Sequence, residues 1–190
     1  MKGSAMETRW RRRVAPALFG CLVLLVYDGV SALHPAFHTP TLVHAADHNL
    51  PRAPGFSLSD MEGRTRTLAE FLGTRPLLLE FMSPDCPHCV EMAPILSRLH
   101  AIYGTRVQFL TVALGNPRDA RRVRRFAEHH QHAWPYLMGG EDVIRAYRLE
   151  GVPSFFLLTP DGQTLVFVEG STTYTYETLR RGLEVVLEAR

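Results

Sequence analysis

Two cysteines set the tightest constraint on this chain. Cys86 and Cys89 fall in SPDCPHCVEMAP, residues 83–94, with Pro87 and His88 between them. Immediately before stands LLLEFM, Leu77–Met82, a short apolar run bounded by breakers that predicts a buried strand. After the pair, Val90, Ala93, Leu96, Leu99 and Tyr103 recur with a helical period. Two thiols at a strand-to-helix junction admit metal binding, a structural disulfide or redox catalysis. Structural zinc needs four ligands; no second CxxC exists, and only His129, His130 and His132 offer further donors. A structural disulfide across two intervening residues closes a very small loop and restrains little unfolded-chain entropy. The layout is the one expected of a redox pair.

The spacing has a chemical reason. Pro87 suits the first helical turn, where its missing N–H costs nothing. Cys86 then lies at the helix N-terminus, where unpaired amides and the dipole favour a thiolate. Thiols in such positions have pKa values of about 3.5 to 7.5. Cys89 follows one turn on, in reach of a mixed disulfide at Cys86. A cationic His88 favours the thiolate, and Asp85 opposes it by like charge.

The rest of the chain frames this motif. A length of 190 residues with 46% apolar content supports one domain plus an appendage. The net charge of +2 argues against a nucleic-acid partner, and three cysteines are too few for a disulfide scaffold. The appendage comes first: RWRRR precedes VAPALFGCLVLLVY, about 14 largely apolar residues, short of the roughly 17 to 25 of a membrane span. Residues 1–32 are expected to be a signal peptide cleaved after Ala32 or an N-terminal membrane anchor; a buried helix is the third reading. Either of the first two exports the remainder of the chain. LFGC faintly resembles a lipoprotein box, but the apolar run continues past Cys21, which reads as an apolar residue of the targeting segment. Residues 33–53, rich in proline and carrying His34, His38, His44 and His48, read as a linker.

Residues 54–190 are expected to form the domain. FSLSDMEGRTRTL alternates around Glu62 and Gly63, which predicts a hairpin, and residues 69–72 a short helical turn. Further strands are expected over residues 107–114, 134–137, 154–159 and 164–168, with a turn at Pro160-Asp161-Gly162. Helices are expected over 118–130, 142–149 and 175–188. In the first of these, Arg121, Arg122, Arg124 and Arg125 lie largely off the apolar face: a solvated surface or a dock for an acidic partner. Strands alternating with helices imply an α/β domain with a central mixed sheet flanked by helices.

Taken in order, these motifs resemble the thioredoxin superfamily, and within it the exported TlpA/ResA-like thiol–disulfide oxidoreductases. The resemblance covers residues 53–188. It rests on APGFSLSDMEG, the apolar strand into CPHC, Pro94 five residues past Cys89, GVPSFFLLTPDG, and a strand-helix insertion between Trp134 and Leu149. It implies a thioredoxin-like fold with an N-terminal β-hairpin and a central insertion. It implies catalysis by Cys86 and Cys89, tuned by Pro87 and His88. Pro153 matches the family's cis-proline, which presents the backbone of Val152 to a substrate. Glu80, six residues before Cys86, matches a buried acid that exchanges protons with the second cysteine, and its place in an apolar strand suits a raised pKa.

Substrates implied are protein thiols and disulfides, with a membrane redox protein as partner and no cofactor or metal. Asp85 stands where thioredoxins carry tryptophan, and Pro-His is also the dipeptide of the oxidising DsbA family. The expectation is an exported reductant of the cytochrome c maturation type. A DsbA-like oxidant and a copper-binding assembly chaperone of thioredoxin fold are the alternatives; a peroxiredoxin is disfavoured because Ser83-Pro84-Asp85 lacks the proline-threonine spacing.

Overall fold

A computed structural model describes residues 50–172 and 174–188. The expected targeting segment with Cys21, and the expected linker as far as residue 49 with its four histidines, lie outside the described residues. Strand β1 (Ser57–Asp60) turns back into β2 (Thr65–Thr67), pairing Ser57 with Thr67. The turn forms because Asp60 Oδ1 accepts the amides of Glu62 and Arg64, each at 2.9 Å, and Gly63 adopts φ 82. A 3₁₀ turn (Leu68–Phe71) leads to β3 (Leu77–Met82), whose six residues are all buried. Helix α1 (Pro87–Tyr103) follows, then β4 (Gln108–Leu114) and α2 (Ala120–His129). Next come β5 (Tyr136–Gly139), α3 (Glu141–Ala146), β6 (Ser154–Leu158), β7 (Thr164–Glu169) and α4 (Thr175–Glu188).

The strands form one mixed sheet in the order β2-β1-β5-β4-β3-β6-β7. β3, β4 and β5 run parallel, joined by α1 and α2; β1, β6 and β7 add antiparallel pairings. Alternation along β3 divides the interior. Leu78 and Met82 face a core shared with Cys89 and Leu96 of α1, Val123 of α2 and Leu179 of α4. Leu77, Leu79 and Phe81 face a second core with Val143 of α3, Tyr147 and Phe156. Each fully buried side chain of this kind stabilises the fold by about 1.5–3 kcal/mol.

Three elements have a boundary that departs from expectation by more than one residue. β5 starts at Tyr136 rather than Trp134, since Pro135 has no N–H for a ladder. A 3₁₀ turn (Pro117–Asp119) occupies the start of the expected second helix, with Asn116 Oδ1 accepting the Arg118 amide at 2.9 Å. α3 ends at Ala146 because Arg148 takes the left-handed conformation, φ 50.

The packed chain also begins before the expected boundary at residue 54. Leu50 and Ala53 are buried in the second core. The Ala53 amide donates to the Gly162 carbonyl at 3.0 Å, the Thr164 amide donates to the Pro51 carbonyl at 3.0 Å, and Arg52 bridges Gln163. These contacts lie at the β6–β7 turn. The C-terminal end of β3, which leads to the cysteines, pairs with the opposite end of β6: Phe81 stands beside Ser154, and Leu77 beside Leu158.

Candidate active site

β3 delivers the chain to Ser83-Pro84-Asp85 and α1 starts at once. Cys86 is the N-cap of α1, with extended φ −80, ψ 118, and Pro87 occupies the first turn. The Cys86 carbonyl accepts the amides of Cys89 at 3.0 Å and Val90 at 3.1 Å, closing the turn that holds the two thiols together. Both cysteines are free thiols. Cys86 is half-buried, whereas Cys89 is only 1% exposed. The Cys86 Sγ–H donates to the Val152 carbonyl at 3.4 Å, and the Val152–Pro153 peptide is cis. Pro153 precedes β6, the antiparallel neighbour of β3, so two adjacent strands bring residues 86 and 152 together.

Burial pushes the Cys89 thiol well above its ordinary value; Cys86 and Glu80 add to the shift, and a hydrogen bond with the Ser83 backbone opposes it. Glu80 sits mid-strand in β3 on the face of Leu78 and Met82, 4% exposed. Burial pushes its carboxyl up to about 7, against the opposing effect of a hydrogen bond from the Thr111 hydroxyl at 2.7 Å. The registers Glu80 with Thr111 and Thr111 with Tyr136 lay these three residues in a row across β3, β4 and β5. Trp134 Nε1–H donates to Thr111 Oγ1 at 2.9 Å. Tyr136 Oη lies 2.5 Å from His132 Nδ1, and His132 Nε2 lies 3.0 Å from the Ala93 carbonyl. Sequence reading weighs His132 only as a possible zinc donor and assigns no role in the site to Thr111, Trp134 or Tyr136. Their signal is period two in one strand and adjacency of three strands, which no single stretch displays.

The charges beside Cys86 carry partners. Asp85 is paired with Arg122 of α2, so its opposition to a thiolate is offset by a cation. Arg124 pairs with Glu62 at 3.0 Å and donates to the Met61 carbonyl, tying α2 to the hairpin turn. Two of the four clustered arginines are thus internal clamps. His88 Nδ1 lies 3.3 Å from Glu91 Oε2, which also accepts the Ser171 hydroxyl at 3.0 Å. The field of His88 is therefore shared with a carboxylate. Among the described residues, no group of three or more His, Cys, Asp or Glu side chains stands placed to hold a metal.

The profile of the AhpC/TSA family matches residues 51–165, which run from the docked N-terminal segment through the cysteines and the cis-proline into β7. The chain belongs to the AhpC/TSA family. The thiol–disulfide oxidoreductase ResA of Geobacillus thermodenitrificans is 32% identical over 136 residues, covering 70% of this chain and 75% of that one. The methylamine utilization protein MauD of Methylorubrum extorquens is 28% identical over 179 residues, covering 91% of this chain and 81% of its own. A secreted Mycobacterium tuberculosis disulfide oxidoreductase homologous to E. coli DsbE superposes with a TM-score of 0.59 at 23% identity, covering 68% of this chain and 95% of that one. The AhpC/TSA domain here has a thioredoxin-like fold, and the chain is a protein-disulfide oxidoreductase of the ResA-like kind.

Proposed function

We propose that this chain is an exported thiol–disulfide oxidoreductase that reduces protein disulfides through Cys86 and Cys89, in the manner of cytochrome c maturation. One observation carries the reading: a half-buried thiol at a helix start, against the Val152 carbonyl, with a second thiol buried one turn behind it. The Cys86 thiolate attacks a substrate disulfide; a Cys86–substrate bond forms, and the other substrate sulfur leaves as a thiolate. Cys89 gives its proton to Glu80 and attacks the Cys86 sulfur. The Cys86–Cys89 bond forms, the second substrate thiolate departs, and two electrons have passed to the substrate. Val152 and Pro153 present backbone to the substrate peptide. A dithiol protein at the membrane restores the pair.

Export rests on RWRRR and the apolar run of residues 14–27. Asp85 is paired with Arg122 and His88 with Glu91, so these side-chain charges are largely offset and the helix N-terminus is left to favour the Cys86 thiolate. A potential between about −270 mV, as in thioredoxin, and about −120 mV, as in DsbA, is the consequence.

Trapping tests the roles. Cys89→Ser is expected to accumulate mixed disulfides with substrate proteins, and Cys86→Ser to accumulate none. Alkylation of the reduced protein at mildly acidic pH is expected to label Cys86 first. Preferential labelling of Cys89 would reverse the assignment.

A further inference from the structure

We infer that Thr111, Tyr136 and His132 are positioning residues that hold Glu80 in both of its protonation states, with the Thr111 hydroxyl as a two-position switch. The inference rests on the proposed role of Glu80 and extends it.

Two groups in the row have only one choice. A backbone carbonyl accepts and never donates, so the bond between His132 and the Ala93 carbonyl places the ring proton on Nε2. Neutral His132 then offers Nδ1 as an acceptor, and Tyr136 must donate its hydroxyl proton to it. An indole N–H donates and never accepts, so the bond from Trp134 occupies one lone pair of Thr111 Oγ1. The bonds at both ends of the row are fixed in direction. The Thr111 proton is the one free to move.

Two destinations face it. Glu80 Oε2 lies 2.7 Å away. Tyr136, its neighbour in the β4–β5 register, stands beside Thr111, and its oxygen can accept because its own proton is committed to His132. With Glu80 ionised, Thr111 donates to the carboxylate. With Glu80 protonated, the carboxyl O–H donates to the second lone pair of Thr111 Oγ1, and the Thr111 proton swings to Tyr136. No buried donor or acceptor in the row is stranded in either state, so neither state carries an uncompensated desolvation penalty. The proton that Glu80 takes from Cys89 is therefore received by a site already built to hold it.

The titratable groups facing Glu80 are Cys89 from α1 and Tyr136 from β5. β4 contributes Thr111 and β6 contributes Phe155, neither of which titrates. His132 stands behind Tyr136, with His130 and His100 beyond it.

The switch makes a signed prediction that a merely structural role does not. Thr111→Val removes the charge-assisted donor to ionised Glu80 together with the weaker acceptor for its protonated form, so the ionised form loses more, whereas Tyr136→Phe removes the acceptor that the Thr111 proton needs when Glu80 is protonated. ¹³C NMR titration of the Glu80 carboxyl in the reduced protein is expected to give a midpoint raised by about one pH unit in Thr111→Val and lowered by a similar amount in Tyr136→Phe. Thr111→Ser is expected to restore the wild-type midpoint. If Tyr136→Phe does not fold, fluorotyrosine at position 136, a poorer acceptor of the same shape, is expected to move the midpoint down by less. Midpoints that stay fixed, or that move the same way in both variants, would overturn the switch.

Release of thionitrobenzoate from a Cys86 adduct, followed against pH, is expected to shift its inflection in step with the titration. Wild-type protein that releases none would refute the proposed exchange chemistry, whereas the NMR titration tests the switch whether or not exchange occurs.

Discussion

Glu80 and His132 pull the pH dependence of stability in opposite directions. Burial holds the Glu80 carboxyl at about 7 against an ordinary 4.5, so between those values the folded chain keeps a proton that the unfolded chain has released. Stability from this group is present below about pH 4.5 and declines by up to about 3 kcal/mol as pH rises through 7. Burial holds His132 at about 4 against an ordinary 6.5, so here the unfolded chain binds the extra proton and stability rises with pH. The two slopes oppose each other between about pH 4.5 and 6.5. Glu80→Gln removes the first slope and leaves the second. Urea unfolding of this variant is expected to show stability climbing more steeply across that window than in wild type, and exceeding wild type at pH 8. A wild-type slope in the variant would mean that the carboxyl is not held protonated by its surroundings.

At the scale of elements, the start of α1 and the body of α2 are coupled through Asp85 and Arg122. Arg122→Ala leaves the Asp85 charge uncompensated beside Cys86, which disfavours the thiolate and hence the reduced pair. The potential of the pair is expected to become more negative, by at most about 20 mV, since an exposed ion pair is worth about 0.2–1 kcal/mol and 30 mV corresponds to about 1.4. A shift toward less negative values in a glutathione redox titration would contradict this coupling.

The elements themselves were largely legible in the sequence. β3 and α4 carry the expected bounds because breakers and period mark both ends. The end of α3 was not legible, since Arg148 adopts a left-handed conformation that no glycine announces. The cysteine pair was legible as a motif because its residues are near neighbours in the chain. The Asp85–Arg122 pair and the row behind Glu80 were not, because they join residues brought together only by the sheet and by the packing of α2.

For the whole molecule, the sheet separates two cores, and the cysteines draw on one of them. The second core takes in Leu50 and Ala53, so the folded unit includes residues assigned from composition to the linker. Proline and histidine content predicts a solvated segment, and at Leu50–Ala53 the burial of two apolar side chains and two backbone hydrogen bonds override that expectation. Export belongs at this scale too. Alkaline phosphatase joined after Pro54 is expected to be active in cells, because the RWRRR segment and its apolar run precede the junction. An inactive fusion retained in the cytoplasm would contradict the proposed location.

The docking of Leu50–Ala53 at the β6–β7 turn also fixes where the domain can be held. β6 spans about 17 Å from that turn to Pro153 and the cysteines. A bead, tag or fusion joined ahead of Leu50 grips the domain by its far pole. The point of attachment is then the end of β6 remote from Cys86, so immobilised protein is expected to keep its disulfide exchange with protein partners.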